Sequence, residues 1–138
     1  MTMVAVDYVQ RAKELQPLVR KHALEAEEQR HLPDIVAKAM AEAGLYRVAV
    51  PASLGGGEVH PHEQIRVIEA IAEADGATGW NLMIGIEATG MASAGLPPET
   101  AAEIFRDPHT IFSGALNPKG RAHFPPGEAE GAQFGTIK

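Results

Sequence analysis

The sequence predicts an all-α fold: a helical bundle of about five helices followed by a short β-like C-terminal segment. Two observations carry this expectation. Apolar residues recur at intervals of three and four through successive stretches, most of which set charged residues on the opposite side. Proline and glycine punctuate those stretches where helices characteristically start and stop.

Each element follows from these signals in order. Between Val4 and Arg30, the residues Tyr8, Ala12, Leu15, Val19, Ala23 and Ala26 fall on one helical stripe. Pro17 lies within it and predicts either a kink or two helices in series, with Pro17 in the first turn of the second. Leu32-Pro33-Asp34 starts the next helix, with proline at the first helical position and an acid near the positive end of the dipole. Ile35, Val36, Ala39, Met40 and Ala43 form its expected buried face. Gly44 suits a left-handed helix end, and Leu45 to Pro51 then reads as an extended segment leading to the loop Ser53-Leu54-Gly55-Gly56-Gly57.

Pro61 opens a third helix running to about Asp75, with Ile65, Ile68, Ile71 and Ala72 inward and Glu63, Arg66, Glu69 and Glu73 toward water. Asp75-Gly76 breaks it, and Thr78 is the expected cap of the fourth. There Trp80, Leu82, Met83, Ile84, Ile86, Ala88 and Met91 surround most of the helix with apolar groups, the pattern of a central helix. Pro97-Pro98-Glu99 starts a short fifth helix ending near Arg106, and Thr110 to Leu116 is β-like. From Asn117 onward neither hydrophobic period is present, and that end is expected to be poorly ordered. The expected division is a helical domain over residues 1–112 and a short remnant leading toward a β-domain over residues 113–138.

Composition bounds the function. A chain of 138 residues fits one domain that buries roughly two-thirds of its unfolded surface. Hydrophobic residues at 45% and charged residues at 22% place it among folded globular chains. With no cysteine, it has no disulfide framework, thiolate nucleophile or sulfur-based zinc site, which favours a reducing compartment. The net charge of −6, with both signs interleaved, argues against a nucleic-acid partner. No secretory signal is visible at the start, and the most apolar segment, Trp80 to Gly95, is too short to span a bilayer and carries Glu87. A cytoplasmic protein without a membrane partner is expected.

Few residues carry a pattern that chemistry would require. Gly55-Gly56-Gly57 lacks the spacing and Gly-Lys-Ser/Thr ending of a phosphate-binding loop and reads as a flexible loop. Glu58, His60 and His62 offer metal-ligand atoms, but histidines beside a helix start are common and no second cluster supports them, so no metal is expected. Ser113 has neither a nearby His and acid nor a Gly-x-Ser-x-Gly setting and reads as a strand residue. Trp80, the single tryptophan, reads as a core anchor at a helix start, because large aromatics are highly buried on average. Glu87 reads as solvent-facing or hydrogen-bonded; on an apolar helix its carboxylate is also suited to orienting a polar substrate or carrying a raised pKa. No catalytic residue is assigned.

Taken in order, Arg30-His31-Leu32-Pro33, Ala43-Gly44-Leu45-Tyr46-Arg47, Val50-Pro51, Leu54-Gly55-Gly56, Ile68-Glu69-Ala70-Ile71-Ala72, Ala74-Asp75-Gly76-Ala77-Thr78-Gly79-Trp80 and Ser113-Gly114 form one pattern. It resembles the N-terminal helical domain of the acyl-CoA dehydrogenase family. The Asp-Gly-x-x-Gly-Trp variant is most similar to the branch of reduced-flavin-dependent hydroxylases and monooxygenases. The resemblance covers about residues 5 to 120, and the sequence departs from the family's β-domain pattern after Ala122, which suggests a truncation or an altered reading frame.

The resemblance implies the N-terminal part of an FAD- or FMN-dependent oxidoreductase, in which these helices wall the substrate side of the flavin site. It implies a small-molecule substrate, either an acyl-CoA or an aromatic compound, and a homo-oligomer or a partner chain supplying the other domains. By the same resemblance Trp80 faces the substrate cavity, lined also by Met83, Ile84, Glu87 and Ala88, while the family's catalytic groups lie beyond Lys138. The competing expectation is a non-catalytic helical interaction or oligomerisation module.

Overall fold

The computed structural model describes residues 6–114, together with the backbone of residues 122–123 and 136–137. It is all-helical in architecture, with five α-helices: α1 (Tyr8–Gln29), α2 (Asp34–Glu42), α3 (Pro61–Ala72), α4 (Gly76–Gly95) and α5 (Pro98–Ile104). Two single 3-10 turns, Leu45–Arg47 and Ala52–Leu54, lie between α2 and α3. Ala122–His123 and Thr136–Ile137 form a two-residue antiparallel pair. The expectation of poor order from Asn117 onward otherwise falls outside the described residues.

Helix α1 is one continuous element with Pro17 inside it, so of the two alternatives at Pro17, a kink or two helices in series, the second is absent. Pro17 is exposed, where water can serve the carbonyl that loses its helical donor. Asp7 caps the helix by accepting the Gln10 amide at 2.8 Å. Helix α2 begins at Asp34, with Pro33 at the cap position rather than inside the first turn.

Gly44 does end α2 in the left-handed region, at φ 76°. The segment after it corrects the sequence reading. Leu45 to Val50 is not extended: successive three-residue backbone bonds, Arg47 N–H to Gly44 O and Val50 N–H to Arg47 O, both at 3.1 Å, wind it tightly. A strand would alternate its side chains between core and solvent, whereas Leu45, Tyr46, Arg47, Val48 and Val50 are all buried here.

Helix α3 packs on both α1 and α4, and α4 also lies against the first 3-10 turn. The main core joins Ala12 and Val19 of α1, Val36 and Met40 of α2, Val67, Ala70 and Ile71 of α3, and Leu82 and Ile86 of α4 around Leu45, Tyr46 and Val48. Three inward assignments are therefore corrected: Ile35 and Ile65 are each 54% exposed, and Ala72 is exposed. The apolar residues of α3 cover more than one face, and contact with both neighbours selects the Val67-Ala70-Ile71 side.

A smaller cluster of Val50, Ala101 and Phe105 fastens α5 to this body. Arg47 ties it down. Its guanidinium donates to the carbonyls of Asp107 and Phe105, both at 3.1 Å, and of Leu54, and lies 5.3 Å from the centroid of the Phe105 ring. Burial draws the Arg47 pKa down from its ordinary value, with the nearby Asp107 charge opposing that shift. Thr110 to Gly114, expected to be β-like, runs as irregular chain, its Phe112 amide donating to Thr89 Oγ1 at 3.1 Å; residues 115 and 116 lie outside the described residues.

Candidate functional site on the outer face of helix α4

Asp75, not Thr78, caps α4: its carboxylate accepts both the Thr78 amide and the Thr78 hydroxyl at 2.7 Å. From that start each residue advances the helix by about 100°. Thr78, Gly79, Leu82, Gly85, Ile86, Thr89 and Ser93 turn inward and are buried. Trp80, Ile84, Glu87 and Met91 fall together on the opposite side and are exposed, flanked by the half-buried Met83 and Ala88.

This corrects two expectations. Trp80 is 66% exposed and does not anchor the core, and α4 is not surrounded by protein but carries a bare apolar stripe. Glycine makes the arrangement possible. A Cβ on Gly79 would stand 2.6 Å from the Ala72 Cβ, and one on Gly85 would stand 2.5 Å from the Tyr46 ring. The small residues of α4 thus take the close approach to α3 and Tyr46, leaving the large apolar side chains on the outside.

Beside the stripe lies a shallow groove of about 280 Å³, lined by Tyr46, Trp80, Asn81, Ile84, Gly85 and the segment Ile111-Phe112-Ser113. Of the five cavity-lining candidates, Trp80 and Ile84 line this groove, while Met83, Glu87 and Ala88 share the helix face without bordering it. The sequence reading missed Tyr46, Asn81, Ile111 and Phe112, and it took Ser113 for a strand residue. Gly85 was the available signal, since a glycine within an apolar helix marks a close neighbour. Larger concavities lie elsewhere, one of about 700 Å³ between the starts of α1 and α3 and one of about 620 Å³ between the end of α1 and the start of α4.

The polar atoms of the groove are few. Tyr46 is 4% exposed and donates its hydroxyl to Asn81 Oδ1 at 3.3 Å. Burial pushes its pKa up to about 12, so the phenol is a neutral donor. Glu87 is exposed, in line with its solvent-facing reading.

The other candidates have structural tasks. His60 Nδ1 accepts the His62 amide at 3.2 Å, Glu58 accepts the Ala52 amide at 2.8 Å, and no cluster of three metal-ligating side chains occurs among the described residues. The glycine loop is packed against its own protein rather than open to a phosphate. A Cβ at Gly56 would meet the Val50 carbonyl oxygen at 2.0 Å, and one at Gly57 the Tyr8 ring at 2.8 Å. No helix among the described residues is long and apolar enough to cross a membrane.

Five helices in this order are the architecture of an acyl-CoA dehydrogenase-type N-terminal domain, and the sequence match is to the same domain. Residues 10–96 match the family model described as acyl-CoA dehydrogenase, N-terminal domain, and the chain belongs to that family. Over 79 residues, 56% of this chain, it is 37% identical to the flavin-dependent monooxygenase, oxygenase subunit HsaA, of Rhodococcus jostii (strain RHA1). Its fold is similar to that of 3-HSA hydroxylase from Rhodococcus sp. RHA1, with a TM-score of 0.73 and 28% identity across 88% of this chain. The chain spans 21% of the length of the first relative and 31% of the second.

Proposed function

We propose that this chain supplies the substrate-side wall of the flavin site in a flavin-dependent oxidoreductase of the hydroxylase branch, with the outer face of α4 turned toward an aromatic substrate. The observation that carries the reading is the exposed Trp80 beside a ring-sized apolar groove, on the bare side of a helix whose opposite side is well packed. An indole face suits stacking on a planar ring. Ile84, Met83 and Ala88 exclude water beside it, and Glu87 stands within the stripe as a polar contact.

A flavin, FAD or FMN, supplies the redox chemistry when bound in such an enzyme. The described residues suit contact with substrate rather than retention of the cofactor. The α4 stripe carries no cation for a flavin phosphate, and Gly56 and Gly57 have no room for one. This chain's own part is to bind and orient a ring and to keep water from it, in a cytoplasmic assembly of several subunits or domains. No proton transfer is assigned to it.

The competing reading is a self-associating module that uses the same stripe. Glu87 at its middle disfavours this, since a two-fold contact centred there sets like charges against each other. Because Trp80 is the single tryptophan, its emission reports directly on this face. The proposal expects solvent-exposed emission that is independent of protein concentration and responds to added phenol. Blue-shifted emission from a sedimenting dimer, unresponsive to phenol, would overturn it in favour of the module.

A further inference from the structure

Asn81 occupies a position that the wall reading does not use. It is exposed, it borders the α4 groove, and it also borders the neighbouring concavity between the end of α1 and the start of α4. Its oxygen is engaged by the Tyr46 hydroxyl at 3.3 Å. Tyr46 in turn is fixed: its ring is buried in the main core and packs so closely on α4 that only a glycine fits at position 85. A side-chain amide whose oxygen is bound presents its two N–H groups away from that bond. Among the described residues, Asn81 Nδ2 donates to no protein group.

We infer that Asn81, oriented by Tyr46, is a specificity residue of the α4 groove, its amide donating a hydrogen bond to an oxygen substituent on the ring that Trp80 covers. The inference rests on the wall reading. The remaining groove surface comes largely from Trp80, Ile84, Ile111 and Phe112, which contact a ring without regard to its substituents. Asn81 is distinct among these in having a donor held by a buried partner, while Ser113 offers a hydroxyl on an exposed, irregular segment. Discrimination between two rings of equal shape therefore falls to Asn81. Tyr46 is a positioning residue that acts through it.

The test compares phenol with toluene, rings of nearly equal shape that differ in one oxygen, titrated into the full chain and followed by two-dimensional proton–nitrogen NMR. The single indole N–H reports groove occupancy, and the Asn81 side-chain amide is one of only two Asn amides in the chain. Both rings are expected to shift the indole signal. Phenol is expected to bind about three- to tenfold more tightly, the worth of one ordinary hydrogen bond, and to shift the Asn81 amide as toluene does not. Asn81→Leu, at an exposed position, should retain the folded spectrum and toluene binding while losing the preference. Tyr46→Phe, which keeps the ring, should narrow it. Equal affinities in the unaltered chain, or a preference that survives Asn81→Leu, would overturn the inference and leave the wall reading standing. An indole signal that neither ring moves would overturn the wall reading and this inference with it.

Discussion

Gly79→Ala sets two effects of known sign against each other. In an isolated helix the change stabilises by about 1 kcal/mol, because alanine loses less backbone entropy than glycine. Here the new methyl would stand 2.6 Å from the Ala72 Cβ and 2.7 Å from the Ala72 Cα, atoms on or next to the backbone of α3 with no rotamer to escape into. Restoring ordinary contact requires α3 and α4 to part by about 1 Å, since well-packed interiors relax only in part. That parting loosens Val67, Ala70 and Ile71 against Leu82 and Ile86. Overpacking of this kind costs about 1–3 kcal/mol, so against the helical gain the net expectation is a loss of about 0–2 kcal/mol, or up to roughly 10 °C in Tm for a chain of this size. Gly95→Ala is the internal control: it lies on the same helix with nothing within 4 Å of the new atom, and it should gain a few tenths to about 1 kcal/mol. Urea unfolding followed by far-ultraviolet circular dichroism measures both. A Gly79→Ala chain stabilised as much as Gly95→Ala would refute the close α3–α4 contact from which the outward placement of Trp80 is argued.

Other outcomes follow from single side chains. Arg47→Met should cost about 2–4 kcal/mol, because the carbonyls of Leu54, Phe105 and Asp107 lose a charged donor; faster hydrogen exchange at Ala101 and Phe105 would show α5 detaching. Arg47→Lys should not restore it, since a single ammonium lacks the planar fork that serves three carbonyls. Asp75→Ala should cost about 1 kcal/mol and Asp75→Asn much less, as both bonds to Thr78 need only an acceptor oxygen. For Tyr46 burial pushes the folded pKa up to about 12, above the ordinary phenol value of about 10, so the folded chain holds its proton longer than the unfolded one. The stability from neutral Tyr46 is therefore full below pH 10 and lost as pH rises toward 12, on the order of 2 kcal/mol. Tyr46→Phe should remove that alkaline step from a plot of urea midpoint against pH.

The number, order and approximate limits of the helices were legible because proline, glycine and period-three-and-four spacing are local signals. What failed depended on neighbours. Leu45 to Val50 has the composition of a strand, but a strand there would expose alternate side chains, and the interior between α2 and α4 takes all but one of them. Ile65 and Ile35 belong to apolar stripes wider than the contact available, so the sequence offers more candidates than the packing uses. Thr110 to Gly114 has β-forming residues but no ladder partner among the described residues, and its Phe112 amide is bound by Thr89 instead. Arg47 gave no local sign of its role, since two of its carbonyl partners, Phe105 and Asp107, lie 58 and 60 residues away at the end of α5 and the third, Leu54, lies in the loop before α3.

Helix α4 shows why its exposed face was misread from residues alone. Hydrophobic periodicity assumes that the large apolar groups mark the buried side. In α4 the buried side includes Thr78, Gly79, Gly85, Thr89 and Ser93, while Trp80, Ile84 and Met91 lie outside. The inversion has a physical cause: close approach to Ala72 and Tyr46 demands small residues, with Leu82 and Ile86 supplying most of the inward hydrophobic volume. A chain stabilised only by its own core gains nothing from also placing a tryptophan and a methionine on the outer side of that helix. Under the proposed reading these residues acquire their purpose when substrate and the remainder of the enzyme close over them, so truncating Trp80 should weaken ring binding while leaving the unfolding midpoint of this chain nearly unchanged. A large loss of stability in Trp80→Ala would instead place the indole in a packed interior and remove the basis for a substrate-facing wall.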